Sequence, residues 1–299
     1  MSSTRSSNSR LTLRCQHFPT TGQLSSSKAE VQDSAPSRAK RSLGQNFLVD
    51  DNIQRKIVDA LGASSVDEVL EIGPGKGALT RYLAGTARRL TLIELDDILA
   101  ANLQERFEES SDVRVLHGDV LNVDLGGLFD DLGDVLVIGN IPYNITTPII
   151  FRLLQRPRPR DVVLMVQAEV AERMTAVVGT KEYGALSVGI RTVADVRRLF
   201  KVGRGAFRPV PKVDSALVRI TPRRPEPLCL EEEVCVRKLV RATFQWRRKQ
   251  LRKILRDHPS LNLDVGQVDA ILEDLGIEPE VRPENLTPES FVALSKALG

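Results

Sequence analysis

From Val66 onward the chain alternates short apolar runs with segments of helical periodicity, a pattern that few folds accommodate. The stretches "DEVLEIG" (67–73), "RLTLIEL" (89–95), "VRVLHGD" (113–119), "DVLVIGN" (134–140) and "DVVLMVQ" (161–167) read as strands. "GALTRYLAGTA" lies between the first two and "DDILAANLQERFEES" between the next two, both with apolar residues at helical spacing. Buried strands separated by helices predict βαβ units, and hence an α/β fold with a doubly wound, mostly parallel sheet. "VRRLFKV" and "DSALVRITP" follow without helical spacing between them. They predict an antiparallel hairpin at the sheet edge, joined through "GRGAFRPVPK". Three prolines in "TPRRPEPLCLEEE" (221–233) then predict a linker. Beyond it the pattern is helical over 231–244, 246–257, 265–275 and 287–298, with Thr287 placed as an N-cap.

Composition narrows the class. With 41% hydrophobic and 27% charged residues in 299, the chain is an ordinary soluble globular protein, and no apolar run is long enough to predict a membrane span. Cys15, Cys229 and Cys235 are odd in number and lack metal-ligand spacing, so they predict reduced thiols and no metal site. Residues 1–41 carry seven Lys and Arg against two acids and are rich in Ser and Thr, which predicts a disordered basic tail. That composition resembles an organellar transit peptide; a bacterial tail or a start codon placed too far upstream is the favoured reading. The rest of the chain is close to neutral, so any nucleic-acid contact there must come from local patches.

One such patch is plain. Arg237, Lys238, Arg241, Arg247, Arg248, Lys249, Arg252, Lys253 and Arg256 form a run of nine bases with no acid among them. Positions 240, 244, 251 and 255 can share an apolar helical face, leaving the bases for phosphate. A solvated charged face is the competing reading.

"EIGPGKG" (71–77) follows the first strand and opens a helix. Gly73, Gly75 and Gly77 allow a tight turn and close approach of a ligand, in Gly-x-Gly-x-Gly spacing rather than the dinucleotide or P-loop spacing. Glu94 ends the second strand, where a carboxylate can accept both hydroxyl protons of a ribose; the competing reading is a solvated strand-end charge, as expected for Asp96 and Asp97 beside it. Asp119, ending the third, can accept from an adenine amino group or simply cap a turn. These features predict an adenosine-bearing cofactor at the carboxyl edge of the sheet, and suit NAD and S-adenosylmethionine (SAM) alike.

"NIPYNITTP" (140–148) leaves the fourth strand at the same edge. The Asn140 side-chain carbonyl and the Ile141 carbonyl, held by the turn that Pro142 fixes, offer two acceptors at one point. Two acceptors can take both hydrogens of an amino group. An adenine amine is a poor nucleophile, and gripping both N–H bonds stabilises the nitrogen as it turns tetrahedral. Tyr143 would stack on the base. Such a grip on a flipped-out adenine serves a methyl transfer and has no use in hydride transfer, which favours SAM.

At this point a resemblance becomes close. "GQNFLVD" (44–50), "EIGPGKGALT" (71–80), "NIPYNITTP" (140–148), "AFRPVPKVDSALV" (206–218) and "FQWRRKQLRKIL" (244–255) occur in the order seen in the KsgA-type rRNA adenine N6,N6-dimethyltransferases. The resemblance covers about 42–299. It implies a class I SAM-dependent methyltransferase, Rossmann-like, over 42–222, and a small all-α RNA-binding domain over 228–299. It implies dimethylation of two adjacent adenosines in the 3′-terminal hairpin of small-subunit rRNA, on an immature 30S particle. A monomer in the bacterial cytoplasm is implied, or an organellar protein if 1–41 is a transit peptide. SAM contacts are implied for Asn46, Leu48, Gly73, Gly75, Glu94, Asp119 and Asn140, and the catalytic set is Asn140, Pro142 and Tyr143. From chemistry alone, "QNFL" reads only as a segment before a helix, with Phe47 as a core anchor. Phe207 resembles a second aromatic near the target base, with a packing anchor as the alternative. Arg247, Arg248 and Lys249 are the implied RNA contacts. Gln245-Trp246 departs from the Asn-Gln common before them. Erm enzymes, which methylate large-subunit rRNA, carry similar text around the Asn-Ile-Pro-Tyr motif. A non-catalytic assembly factor on the same fold and a DNA adenine methyltransferase are the other rivals.

Overall fold

The computed structural model describes residues 45–298; the expected tail at 1–41 lies outside them. In chain order the elements are β1 (Phe47–Leu48), α1 (Asp51–Leu61), β2 (Glu68–Ile72), α2 (Thr80–Leu83), β3 (Arg89–Glu94), α3 (Asp97–Arg106) and β4 (Val113–His117). Then come β5 (Leu136–Asn140), α4 (Thr146–Leu153), β6 (Asp161–Gln167), α5 (Ala168–Thr175), α6 (Ala185–Arg191), β7 (Ala194–Val202), β8 (Phe207–Arg208) and β9 (Ser215–Pro222). The chain continues through α7 (Leu230–Gln245), α8 (Leu251–Asp257), α9 (Val265–Asp274) and α10 (Pro288–Leu298).

Seven strands form one sheet in the order β4-β3-β2-β5-β6-β9-β7. The pairs from β4 to β6 are parallel, and β9 is antiparallel to both β6 and β7. The expected hairpin is therefore present, with β9 inside the sheet and β7 at the edge, where a register shift falls between Arg198 and Phe200. The order of strands reverses between β2 and β5. Parallel sheets bind ligands in the crevice outside the strand ends at such a reversal. At that seam the backbones meet closely. A Cβ on Gly139 would stand 2.8 Å from the Ile72 carbonyl, so glycine is required there.

Both faces of the sheet are covered, which is why its strands are apolar throughout. Val69, Leu90, Ile138 and Val163 pack with Ile57, Leu83 and Leu103 of α1–α3 on one face. Leu70, Val137, Leu164 and Val218 pack on the other with Ile149, Met174 and Val188 of α4–α6. The second cluster continues into Val236, Leu239, Leu251 and Phe291 of the C-terminal helices, so sheet and helices share one core.

The expected linker is held firmly. Arg158, with a fully buried side chain, donates from Nε to the Leu154 carbonyl and pairs through Nη1 with Glu226. Its Nη2 stands 2.6 Å from Glu233 Oε2 in an ion pair without hydrogen-bond alignment. Arg156 adds a second pair with Glu233 and donates to the Leu228 carbonyl. Burial alone raises the Glu233 carboxyl, but the two guanidinium groups hold it below its ordinary range.

Two helices differ from the sequence reading. α2 covers only four residues of the expected 77–87, bounded by left-handed backbone at Gly77 and Gly85. The helix expected over 246–257 is a turn at 246–249 followed by α8. There Lys249 N–H bonds back to Trp246, and the first free N–H groups of α8, on Leu251 and Arg252, find the carbonyls of Val281 and Pro279. A distant segment thus caps α8 and breaks the run.

Candidate functional site

A cavity of about 460 Å³ opens at the carboxyl edge of the sheet, beside the β2–β5 seam. Most of its lining comes from four separated parts of the chain: the segment before α1, the glycine loop, the end of β3 and the end of β5, with Arg81 of α2 and Arg106 of α3 beside them.

The glycine loop leaves β2 with φ of +64° at Gly73 and +61° at Gly75. At Gly75 an added Cβ would also press on the Phe47 ring at 3.3 Å. Both requirements select glycine. Phe47 is half-buried, and Lys76 Nζ lies 4.9 Å from its ring centroid, so it roofs the loop rather than anchoring the core.

Glu94 lines the cavity with its carboxylate fixed on both oxygens. Gly75 N–H donates to Oε2 at 2.8 Å and Asp96 N–H to Oε1 at 2.9 Å. Each oxygen retains acceptor capacity for a further donor. Burial pushes its pKa up, against those two backbone donors. Asp96, expected to be solvated, is buried. It caps α3 through Ile98 and Leu99 N–H and accepts from Gln45. Leu95 beside Glu94 also lines the cavity and is 44% exposed, an apolar surface facing the same space.

Asn140, Pro142 and Tyr143 line the cavity together where the chain leaves β5. Asn140 Nδ2 donates to the Asn46 carbonyl at 3.2 Å, which fixes the amide and leaves Oδ1 without a donor among the described residues. The Pro142 carbonyl is taken up by Ile145 N–H and Thr146 Oγ1. The Ile141 carbonyl accepts no hydrogen bond among the described residues. Two committed groups therefore frame two uncommitted acceptors. The Tyr143 hydroxyl lies 2.6 Å from Ser215 Oγ, at the fully buried start of β9, so its ring is held by its far end. Burial raises the Tyr143 pKa, keeping the phenol neutral.

Asn46 and Leu48 close the cavity. The segment carrying them is pinned from three sides. β1 pairs antiparallel with β8, Val49 N–H bonds to the Ala206 carbonyl at 2.8 Å, and Gln54 Nε2 donates to the Leu48 carbonyl at 2.9 Å.

The remaining sequence candidates lie elsewhere. Asp119 is outside the cavity lining and serves a turn, accepting from Leu121 N–H at 2.9 Å and Asn122 Nδ2 at 3.0 Å. Phe207 is fully buried in the core against Leu48 and Leu217, the place of a packing anchor, and does not line the cavity. Arg247, Arg248 and Lys249 occupy the α7–α8 turn, with Arg247 engaged by Glu284 and Arg248 and Lys249 exposed.

A buried acid in the cavity was not singled out from the sequence. Glu71, in β2, is 1% exposed and lines the cavity, with Oε2 accepting from Thr80 Oγ1 at 2.7 Å. Burial drives its pKa up to about 8; the Thr80 hydrogen bond opposes this and the Glu94 charge adds to it. The signal was present in "EIGPG", because an acid inside an otherwise apolar central strand has no solvent to face.

Among the described residues no helix is long and apolar enough to cross a membrane, and no group of three or more His, Cys, Asp or Glu is placed to hold a metal ion.

Residues 36–299 match the family model described as ribosomal RNA adenine dimethylase. A ribosomal RNA small subunit methyltransferase A from Geobacillus thermodenitrificans is 42% identical over 87% of this chain and 90% of its own. The protein of the same name from Geobacter metallireducens is 42% identical, over 87% and 96%. Among solved structures, a dimethyladenosine transferase from Plasmodium falciparum superposes with a TM-score of 0.72 at 30% identity, over 83% of this chain and 95% of that one. The 23S rRNA methyltransferase ErmE gives 0.64 at 29% identity, over 85% and 99%. The fold is that of class I SAM-dependent methyltransferases, with helices added at the C-terminus. A sheet of this order, a glycine loop facing a buried acid, an Asn-Ile-Pro-Tyr wall and a family match over nearly the whole folded chain lead to one conclusion: the chain belongs to the ribosomal RNA adenine dimethylase family.

Proposed function

We propose that this protein transfers methyl groups from SAM to the N6 amino groups of two adjacent adenosines in the 3′-terminal hairpin of small-subunit rRNA. The observation that carries the reading is the pair of uncommitted acceptors, Asn140 Oδ1 and the Ile141 carbonyl, framed beside a tyrosine ring held at its hydroxyl. The small-subunit assignment over the large-subunit one rests on the names of relatives at 42% identity, against 29% for ErmE.

The residues present fit SAM. Gly73 and Gly75 give the loop two positions without side chains, the Glu94 carboxylate is suited to a ribose diol, and Leu95 offers an apolar face for an adenine ring. Asn46 and Leu48 line the same space and would help hold the cofactor there. When bound, SAM supplies a methyl group on a sulfonium, already a strong electrophile.

The chain's own residues then have a positioning task. Tyr143 receives the flipped base by stacking, which offsets part of the few kcal/mol that unstacking costs. Asn140 Oδ1 and the Ile141 carbonyl accept the two amino hydrogens and favour the tetrahedral geometry in which the nitrogen lone pair is free. Pro142 holds these acceptors at fixed spacing, so little reorganisation accompanies the reaction. After transfer the amine nitrogen releases a proton to solvent. A monomethylated amine donates one hydrogen fewer, so the grip is weaker in the second transfer. The C-terminal helices, residues 228–299, bring bases to the RNA backbone.

The test is transfer of radiolabelled methyl from SAM to immature small ribosomal subunits, by wild type and Asn140→Ala in parallel, with digestion to nucleosides. N6,N6-dimethyladenosine in the 3′-terminal hairpin, lost in the variant, is the expected result. Label in large-subunit RNA moves the protein to the Erm activity, and binding without transfer makes it an assembly factor.

A further inference from the structure

Three consecutive bases occupy the α7–α8 turn, and the structure divides them by role. Arg247 spends its guanidinium inside the protein. Its Nε pairs with Glu284, Nη1 donates to the Lys181 carbonyl at 2.8 Å, and Nη2 donates to the Thr180 carbonyl at 3.2 Å. Three of its five N–H donors, one on each nitrogen, are thereby spent on protein partners, which fixes the plane of the fork. Arg248 and Lys249 are exposed and form no ion pair among the described residues.

Lys181 shares that condition. It is exposed and without an ion pair among the described residues, in the loop between α5 and α6, 66 positions from Arg247. The loop is well built. Gly179 N–H donates to the Glu284 carbonyl at 2.8 Å, and the Tyr183 hydroxyl donates to the Leu286 carbonyl at 2.7 Å. Glu284 thus holds the loop through its carbonyl and Arg247 through its carboxylate.

We propose that Arg247 is a positioning residue, a staple that sets Lys181 beside Arg248 and Lys249, and that these three form one binding surface for RNA phosphates. The surface spans the α5–α6 loop and the α7–α8 turn. This rests on the reading of the protein as an rRNA methyltransferase and names the part of it that meets the phosphates.

The experiment is equilibrium binding of the full chain to a small-subunit 3′-hairpin RNA between about 50 and 200 mM salt, where each lost phosphate contact flattens the log–log slope by roughly 0.7–0.9. Lys181→Ala and Arg248→Ala each flatten the slope by one such step, without moving the melting midpoint. Arg247→Lys keeps the charge and loses the fork. It flattens the slope as well, and Lys181→Ala added to it brings no further change. If Arg248→Ala flattens the slope while Lys181→Ala leaves it unchanged, or if the losses of Arg247→Lys and Lys181→Ala add, the staple is refuted and the methyltransferase reading stands. If no variant changes the slope, the turn is not an RNA surface, and both this inference and the assignment of the C-terminal helices fail.

Discussion

Glu71 makes the stability of this protein depend on pH in a way that one substitution removes. Its carboxyl sits at about 8 in the folded chain against an ordinary 4.5, first because burial disfavours the anion. The folded state therefore keeps a proton that the unfolded chain gives up above pH 4.5. Its contribution is complete below that pH, declines as pH rises, and stops declining once the folded carboxyl ionises above about 8. At 1.36 kcal/mol per pH unit, the loss reaches about 3 kcal/mol by pH 7 and about 5 kcal/mol by pH 9. Glu71→Gln preserves the shape and an acceptor for Thr80 Oγ1, but has no proton to lose. Urea unfolding of both proteins at pH 5, 7 and 9 reads the difference directly. Wild type should fall behind the variant by about 4 kcal/mol between pH 5 and 9, with matching urea slopes. Glu94, also raised by burial, is common to both proteins and largely drops out of the comparison. Parallel pH profiles refute the reasoning, because Glu71 then titrates alike in both states.

Asn140→Ala should lower methyl transfer on the order of 10²-fold with the fold intact, as for loss of one preorganised hydrogen-bonding group, measured in single turnover at saturating SAM. Tyr143→Ala should weaken binding of the target RNA by about 1–3 kcal/mol, the value of one stacked base. Tyr143→Phe keeps the ring, loses only the Ser215 contact, and should cost about 1 kcal/mol or less in the same titration. Arg158→Met leaves Glu233 buried without its main partner and should destabilise the protein by about 3–5 kcal/mol in urea. Adding Glu233→Leu should return most of that loss.

The fold was legible because its signals are local. Parallel strands buried on both faces leave continuous apolar runs, and all seven strands of the large sheet fall within the stretches read from sequence or within two residues of them. The glycine loop and the acid that faces it were legible too, since Gly75 and Glu94 announce themselves by residue type and strand-end position, and they meet at 2.8 Å. What was missed depends on distant chain. Asp96 reads as a surface acid until α3 and Gln45 bury it as a cap. The turn at 246–249 reads as helix because Val240, Phe244, Leu251 and Leu255 keep helical spacing; only the carbonyls of Pro279 and Val281 reveal the break. Arg247 looks identical to Arg248 in sequence, and its partners lie 37 and 66 positions away. Two-residue strands such as β1 and β8 have no periodicity to detect.

The pairing of β1 with β8 ties segments more than 150 residues apart into one ladder at the cavity's roof. Asn46, in the same short strap, also accepts from Asn140 through its carbonyl. Motion of the strap is therefore motion of the loop that follows β7 and of the wall that carries the amide. A ligand that displaces residues 46–48 must therefore also work against the ladder that holds 206–208. Thermodynamic reciprocity then sets the form of the result: the factor by which cofactor tightens RNA binding equals the factor by which RNA tightens cofactor binding.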